Sequence, residues 1–138
     1  MRAVLDPNVL ISALLSPAGA PARAVAGWVE GRFELAVSEQ LLDELERSLG
    51  YPKLRKRILR EDASEIVALL RDAGTLSEDP GEEPPLRSSD PGDDYLLALA
   101  ASERSVLVTG DGHLLVLSRR LPVYSVEAFL ELLDAASS

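Results

Sequence analysis

RAVLDPNVLISALL, residues Arg2 to Leu15, holds two apolar runs separated by Asp6, Pro7 and Asn8. The first run, RAVL, is short, apolar and without alternation, which reads as a strand buried on both faces. The second continues as a helix. Asp6 is a plausible N-cap, and Pro7 falls at the first helical position, where a missing N–H costs nothing. Asp6 therefore has two readings: the cap of a helix, or a carboxylate that holds something at the end of a strand.

The same alternation repeats along the chain. SPAGAP (16–21) reads as loop, ARAVAGWVEG (22–31) as a helix stopped by Gly31, and FELAV (33–37) as a strand. SEQLLDELERSLG (38–50) has Ser38 as its cap, Leu41, Leu42, Leu45 and Leu49 as a core stripe, and Gly50 as its stop. After the break at YPKL, a basic helix is expected near 53–60 and another near 62–73, with TLS (75–77) as a short edge strand. EDPGEEPPLRSSDPGD (78–93) is the one long loop. Then come a helix, DDYLLALAAS (93–102), a strand, SVLVT (105–109), a turn and short helix in GDGHLLVLS, a last strand in PVYS, and a closing helix capped by Ser125. Strands that lack period-2 alternation and are separated by helices predict an α/β fold: a central, mostly parallel sheet of 4–5 short strands covered by helices on both faces. The 138 residues show no internal repeat and are read as a single domain over 1–138.

Composition narrows the chemistry. With no Cys there is no disulfide frame, thiolate nucleophile or Cys-based zinc site, and one His excludes a His-rich metal site. The start, MRAVLD, lacks a leader's small-residue cleavage site, and no apolar run nears the ~20 residues that span a bilayer, so a soluble cytoplasmic protein is expected. A formal charge of −9 argues against a general nucleic-acid coat protein, since phosphate backbones attract basic surfaces. It leaves room for an enzyme whose carboxylates gather in one cleft to hold cations. Lys53, Arg55, Lys56, Arg57 and Arg60 all fall within KLRKRILR, as a solvated helix face or a contact for phosphate or a partner.

Ligands of open α/β sheets bind at the carboxyl ends of the strands. Asp6 directly follows the first strand, and Asp111 lies two residues beyond Thr109 at the end of a later one. Asp93 heads a helical stripe of Leu96, Leu97 and Ala100, although Asp94 leads a similar one. Glu44 and Glu46 flank the leucine stripe of their helix on opposite sides, and position does not choose between them. Taken singly, Asp6 and Asp93 read as caps, Asp111-Gly112 as a turn, Glu44 as an exposed helix residue and His113 as a surface or helix-start residue. Taken together, three Asp on one edge plus a rim Glu suggest a site.

VLDPNVLISALLSP, VSEQLLDELERSLGYPKL, DPGDDYLLALA and VLVTGDGHLL resemble, in this order, the motifs of PIN-domain ribonucleases, most nearly the bacterial subgroup described as toxins of toxin–antitoxin systems. The resemblance spans nearly the whole chain and implies a PIN-like three-layer α/β/α sandwich. Carried over by position, it implies Asp6, Glu44, Asp93 and Asp111 as catalytic, metal-binding acids, with Asp94 as second choice to Asp93. Asn8 and Thr109 would be their supporting polar residues. One departure is Pro7, where the family usually has Thr or Ser between the first Asp and the Asn. Oxygen ligands without His or Cys suit Mg2+ or Mn2+. The implied function is metal-dependent hydrolysis of RNA phosphodiester bonds by a homodimer with a cognate antitoxin partner. Lys53, Arg55, Lys56 and Arg57 would be candidate contacts to the RNA backbone.

Three other readings compete. A phosphatase with an aspartyl nucleophile would want Asp-x-Asp where this chain has Asp6-Pro7-Asn8. A receiver-type signalling domain would want a late Lys, and none follows Lys56. The third is a catalytically weak or inactive PIN fold that acts by binding. The intact acidic set speaks against it, and Pro7 speaks for it.

Overall fold

The structure, a computed structural model, describes residues 1–136. It begins with strand β1 (Arg2–Leu5), helices α1 (Pro7–Leu15) and α2 (Ala20–Val29), and strand β2 (Glu34–Val37). Helices α3 (Glu39–Leu49), α4 (Pro52–Arg55) and α5 (Arg60–Ala73) lead to the short strand β3 (Thr75–Leu76). Beyond the long loop, a 3-10 turn (Pro91–Asp93) runs into α6 (Asp94–Ser102), followed by β4 (Val106–Val108), α7 (Gly112–Leu115), β5 (Val123–Tyr124) and α8 (Val126–Ala136).

All five strands are parallel, in the order β3-β2-β1-β4-β5. The sequence signature of this sheet is plain: Ala3, Val4, Leu5, Leu35, Ala36, Val37, Leu107 and Val108 are all buried, because helices cover both faces. Right-handed crossovers carry the chain from β1 to β2 to β3 in one direction and place α1 to α5 on one face. The return connection places α6 against β1 and β4 on the other. The α8 helix closes the first layer against α2, where Phe33 and Phe129 meet edge to face with ring centroids 5.0 Å apart. This is the expected three-layer α/β/α arrangement.

The connections leaving β1 and entering β4 run in opposite directions, so a topological switch lies between these two neighbours. Their register, Leu5 opposite Val108, brings both carboxyl ends to one level. The crevice at such a point is where open α/β sheets bind ligands.

One expected element is much shorter than its sequence suggests. The basic helix near 53–60 is the single turn α4, because Ile58 is drawn into the core and Leu59 turns extended (φ −63°, ψ 142°) before α5 begins. Among the described residues, no single helix is long and apolar enough to cross a membrane.

Candidate active site

Asp6 stands at the switch. Its backbone N–H donates to the Val108 carbonyl at 3.0 Å, tying the end of β1 to that of β4. Its conformation (φ −54°, ψ 137°) is the extended one that a following proline favours. The residue is 4% exposed, and both carboxylate oxygens are engaged: Oδ1 accepts from the Asn8 N–H at 3.0 Å and Oδ2 from the Thr109 hydroxyl at 2.8 Å. The cap reading of Asp6 is thus correct for its backbone role. Burial pushes its pKa above the ordinary carboxylate value; the two hydrogen bonds pull it back, and the charges of Glu44 and Asp111 push it up again.

Thr109 is fully buried at the end of β4 and links two acids. While donating to Asp6, its Oγ1 accepts from the Asp111 N–H at 3.0 Å. Asp111 in turn caps α7, its Oδ1 accepting from the His113 N–H at 2.9 Å. His113 itself lies outward, its Nδ1 2.5 Å from the Ser89 hydroxyl.

Asp93 behaves differently. It occupies the N-cap position of α6 but makes no side-chain capping bond. Among the described residues its buried Oδ2 has no hydrogen-bond partner, and the carboxyl group lies beside another acid, Asp111. Desolvation first, then contact with Asp111 and the charges of Asp111, Asp6 and Asp90, push its pKa up to about 7. A cap at Asp93 does not account for these facts.

The two choices left open by spacing are decided by neighbours. Asp94 turns to the long loop, accepting from the Ser88 N–H at 2.8 Å and facing Arg87 at 3.6 Å. Glu46 lies on the outer side of α3, 3.9 Å from Arg71. Glu44 lies inward, near enough to Asp6 to raise its pKa, and accepts a hydrogen bond from the Tyr95 hydroxyl. Tyr95 is the site residue that the sequence reading missed. Its phenol is half-buried, and desolvation followed by the Glu44 bond pushes its pKa well above the ordinary value, so it remains a donor. The available cue was a polar-tipped ring directly before six residues, 96–101, that are all Leu or Ala.

Asn8 is exposed and lines a groove of about 530 Å³ with Ser12, Thr109, Asp111, Ser125 and Glu127. A larger groove of about 620 Å³ runs along α3 and α5, away from the acids. Lys53, Arg55, Lys56 and Arg57 lie on α4 and just beyond it, and among the described residues none of them makes an ion pair with Asp6, Glu44, Asp93 or Asp111; Arg55 lines the α3–α5 groove instead. Among the described residues, no three His, Asp or Glu side chains already stand in ligating geometry around one point. What the arrangement offers is four neighbouring carboxylates, Asp6, Glu44, Asp93 and Asp111, with one Asp93 oxygen buried and without a partner among the described residues.

The sequence profile of the PIN domain matches residues 2–113. Among solved structures, PAE2754 from Pyrobaculum aerophilum is similar with a TM-score of 0.65 at 20% identity, over 98% of this chain and 90% of that one. VapBC2 from Rickettsia felis, bound to a DNA fragment from their promoter, gives a TM-score of 0.59 at 14% identity, over 91% of this chain and 98% of that one. At such identities the likeness is one of fold. No curated protein sequence gives a significant match.

Proposed function

Since the chain belongs to the PIN-domain family, whose members are typically nucleases, we propose that it is a divalent-metal-dependent endoribonuclease. The observation that carries this reading is the buried, donor-less Asp93 Oδ2 beside Asp111. Desolvated carboxylates without donors are costly unless a cation joins them. The donor set is all oxygen, which fits Mg2+ or Mn2+.

Asp6, Glu44 and Asp93 would hold the ion, directly or through water, and Asp111 would hold a second ion or orient the attacking water. A bound ion would supply positive charge at the scissile phosphate and a water acidic enough to ionise near neutral pH. Thr109 and the Asn8 N–H fix the Asp6 carboxylate, and the Asn8 side chain faces the adjoining groove, where the substrate strand would lie. Pro7 leaves this support intact, because neither hydrogen bond to Asp6 comes from residue 7.

The direct test is cleavage of a defined RNA and a single-stranded DNA with Mg2+ or Mn2+. Wild type should cut the RNA, and Asp6→Asn should not; equal cleavage by the two would sink the assignment. Lys53, Arg55, Lys56 and Arg57 would then contact the backbone at a distance from the cut, not at the scissile phosphate. Arg55/Lys56/Arg57→Glu should flatten the salt dependence of RNA binding by about one unit of log–log slope for each phosphate these side chains neutralise. An unchanged slope would assign these residues to solvent.

The same reading includes a cognate antitoxin as partner and a homodimer as the working form. Its supports are the motif resemblance to the toxin subgroup and the shared fold with VapBC2. Sedimentation of the purified chain should give twice the monomer mass; a monomer would count against the homodimer.

A further inference from the structure

Glu44 and Tyr95 belong to opposite layers. Glu44 is carried by α3, on the α1–α5 face of the sheet, and Tyr95 by the first turn of α6, on the other. They meet across the crevice at the switch point, and the phenol hydroxyl donates to Glu44 Oε2. Among the described residues this is the one side-chain hydrogen bond between α3 and α6. Around the ring stand Asp6 and Asp93 as well as Glu44, whose charges all act on it.

A glutamate on a helix rim has a long side chain with several rotamers, and free of partners it would spend much of its time in water. The acidic set would then lack its third member. The phenol removes that freedom. With Oε2 on Tyr95, the carboxylate is held in the crevice near Asp6, where it could offer an oxygen to a cation. Outer hydrogen bonds of this kind orient a ligating carboxylate and are costly to remove.

We infer that Tyr95 is a positioning residue, which holds the Glu44 carboxylate from across the crevice where a cation shared with Asp6 and Asp93 would reach it. The inference rests on the metal-site reading above. The plainer alternative is a latch that only ties two layers together.

Calorimetric titration of Mn2+ into the full chain separates the two, with wild type, Tyr95→Phe, Glu44→Gln, the double variant and Asp6→Asn. Tyr95→Phe should bind Mn2+ ~10-fold more weakly. Its metal-free melting temperature should stay close to wild type, and cleavage should return towards the wild-type rate at saturating Mn2+. Because Tyr95 acts through Glu44, adding Tyr95→Phe to Glu44→Gln should cost no further affinity. Wild-type Mn2+ affinity in Tyr95→Phe, or additive losses in the double variant, would overturn the role of Tyr95 and leave the metal site standing. Absent Mn2+ binding by wild type, or wild-type affinity in Asp6→Asn, would instead overturn the metal site and this inference with it.

Discussion

Asp93→Asn is expected to lower metal-dependent RNA cleavage by ~10^3-fold or more, and at the same time to make the metal-free protein more stable. The first effect follows if Asp93 ligates the cation that stabilises charge on the phosphate, since such groups act in the transition state. The second follows from the environment of its carboxyl. At pH 8, above its raised pKa of about 7, Asp93 is ionised beside Asp111, with a buried oxygen that no donor reaches. A carboxamide of the same shape removes one charge and supplies a donor for Asp111. The gain should be about 1 kcal/mol, read as a rise of a few degrees in melting temperature with chelator at pH 8. A site that trades stability for function should show this pairing of opposite effects. A loss of both activity and metal-free stability would mean that Asp93 is structural.

Stability without metal should also fall as pH rises from about 4 towards 7, and cations should restore it. The folded pKa of Asp93, about 7, lies above the ordinary 3.8, so folding favours its protonated form. That contribution is fully present below pH 3.8, where both states are protonated. It is lost as pH climbs through 7, where the folded state must also give up the proton. Asp6, raised by burial, acts in the same direction. Comparison with Asp93→Asn isolates the effect from the other acids, because the variant should lose less stability over the same range. Mn2+ at ~100 times its dissociation constant should add about 2.7 kcal/mol. Below pH 7 the cation must first displace a proton, so at a fixed Mn2+ concentration the gain should be larger at pH 8 than at pH 6. Thermal melts at the two pH values, with and without Mn2+, are sufficient. A larger gain at pH 6 would contradict the coupling.

Much of this was legible in local patterns. RAVL, FELAV and SVLVT are buried strands because parallel strands are apolar on both faces. Asp6 and Asp111 could be placed at the carboxyl edge of the sheet because they follow β1 and β4 closely in the chain, a property of position. What was not legible depends on contacts between distant segments. Glu44 and Glu46 flank the same leucine stripe, and what tells them apart in space is their partners, Tyr95 of α6 for Glu44 and Arg71 of α5 for Glu46. Asp93 and Asp94 each head an apolar helical stripe, and the difference between them is the Ser88 N–H in a loop whose path no periodicity encodes. Tyr95 reads as an ordinary aromatic until α3 crosses to meet it. The basic run promised a helix by composition, but the pull of Ile58 into the core broke it after one turn.

Pro7 shows the opposite lesson. As a substitution for a hydroxyl residue it suggests a damaged site, yet the support of Asp6 comes from the Asn8 backbone and from Thr109, 103 positions away. The proline removes a hydroxyl without unseating the acid.

The proposed function requires a divalent cation among Asp6, Glu44 and Asp93. An anomalous difference map from crystals grown or soaked in Mn2+ tests it most directly. It should show a peak at the carboxyl ends of β1 and β4, about 2.0–2.3 Å from oxygens of Asp6 and Asp93 and absent in Asp93→Asn. A map with no peak there, or with Mn2+ bound elsewhere while these carboxylates keep their metal-free arrangement, would contradict it.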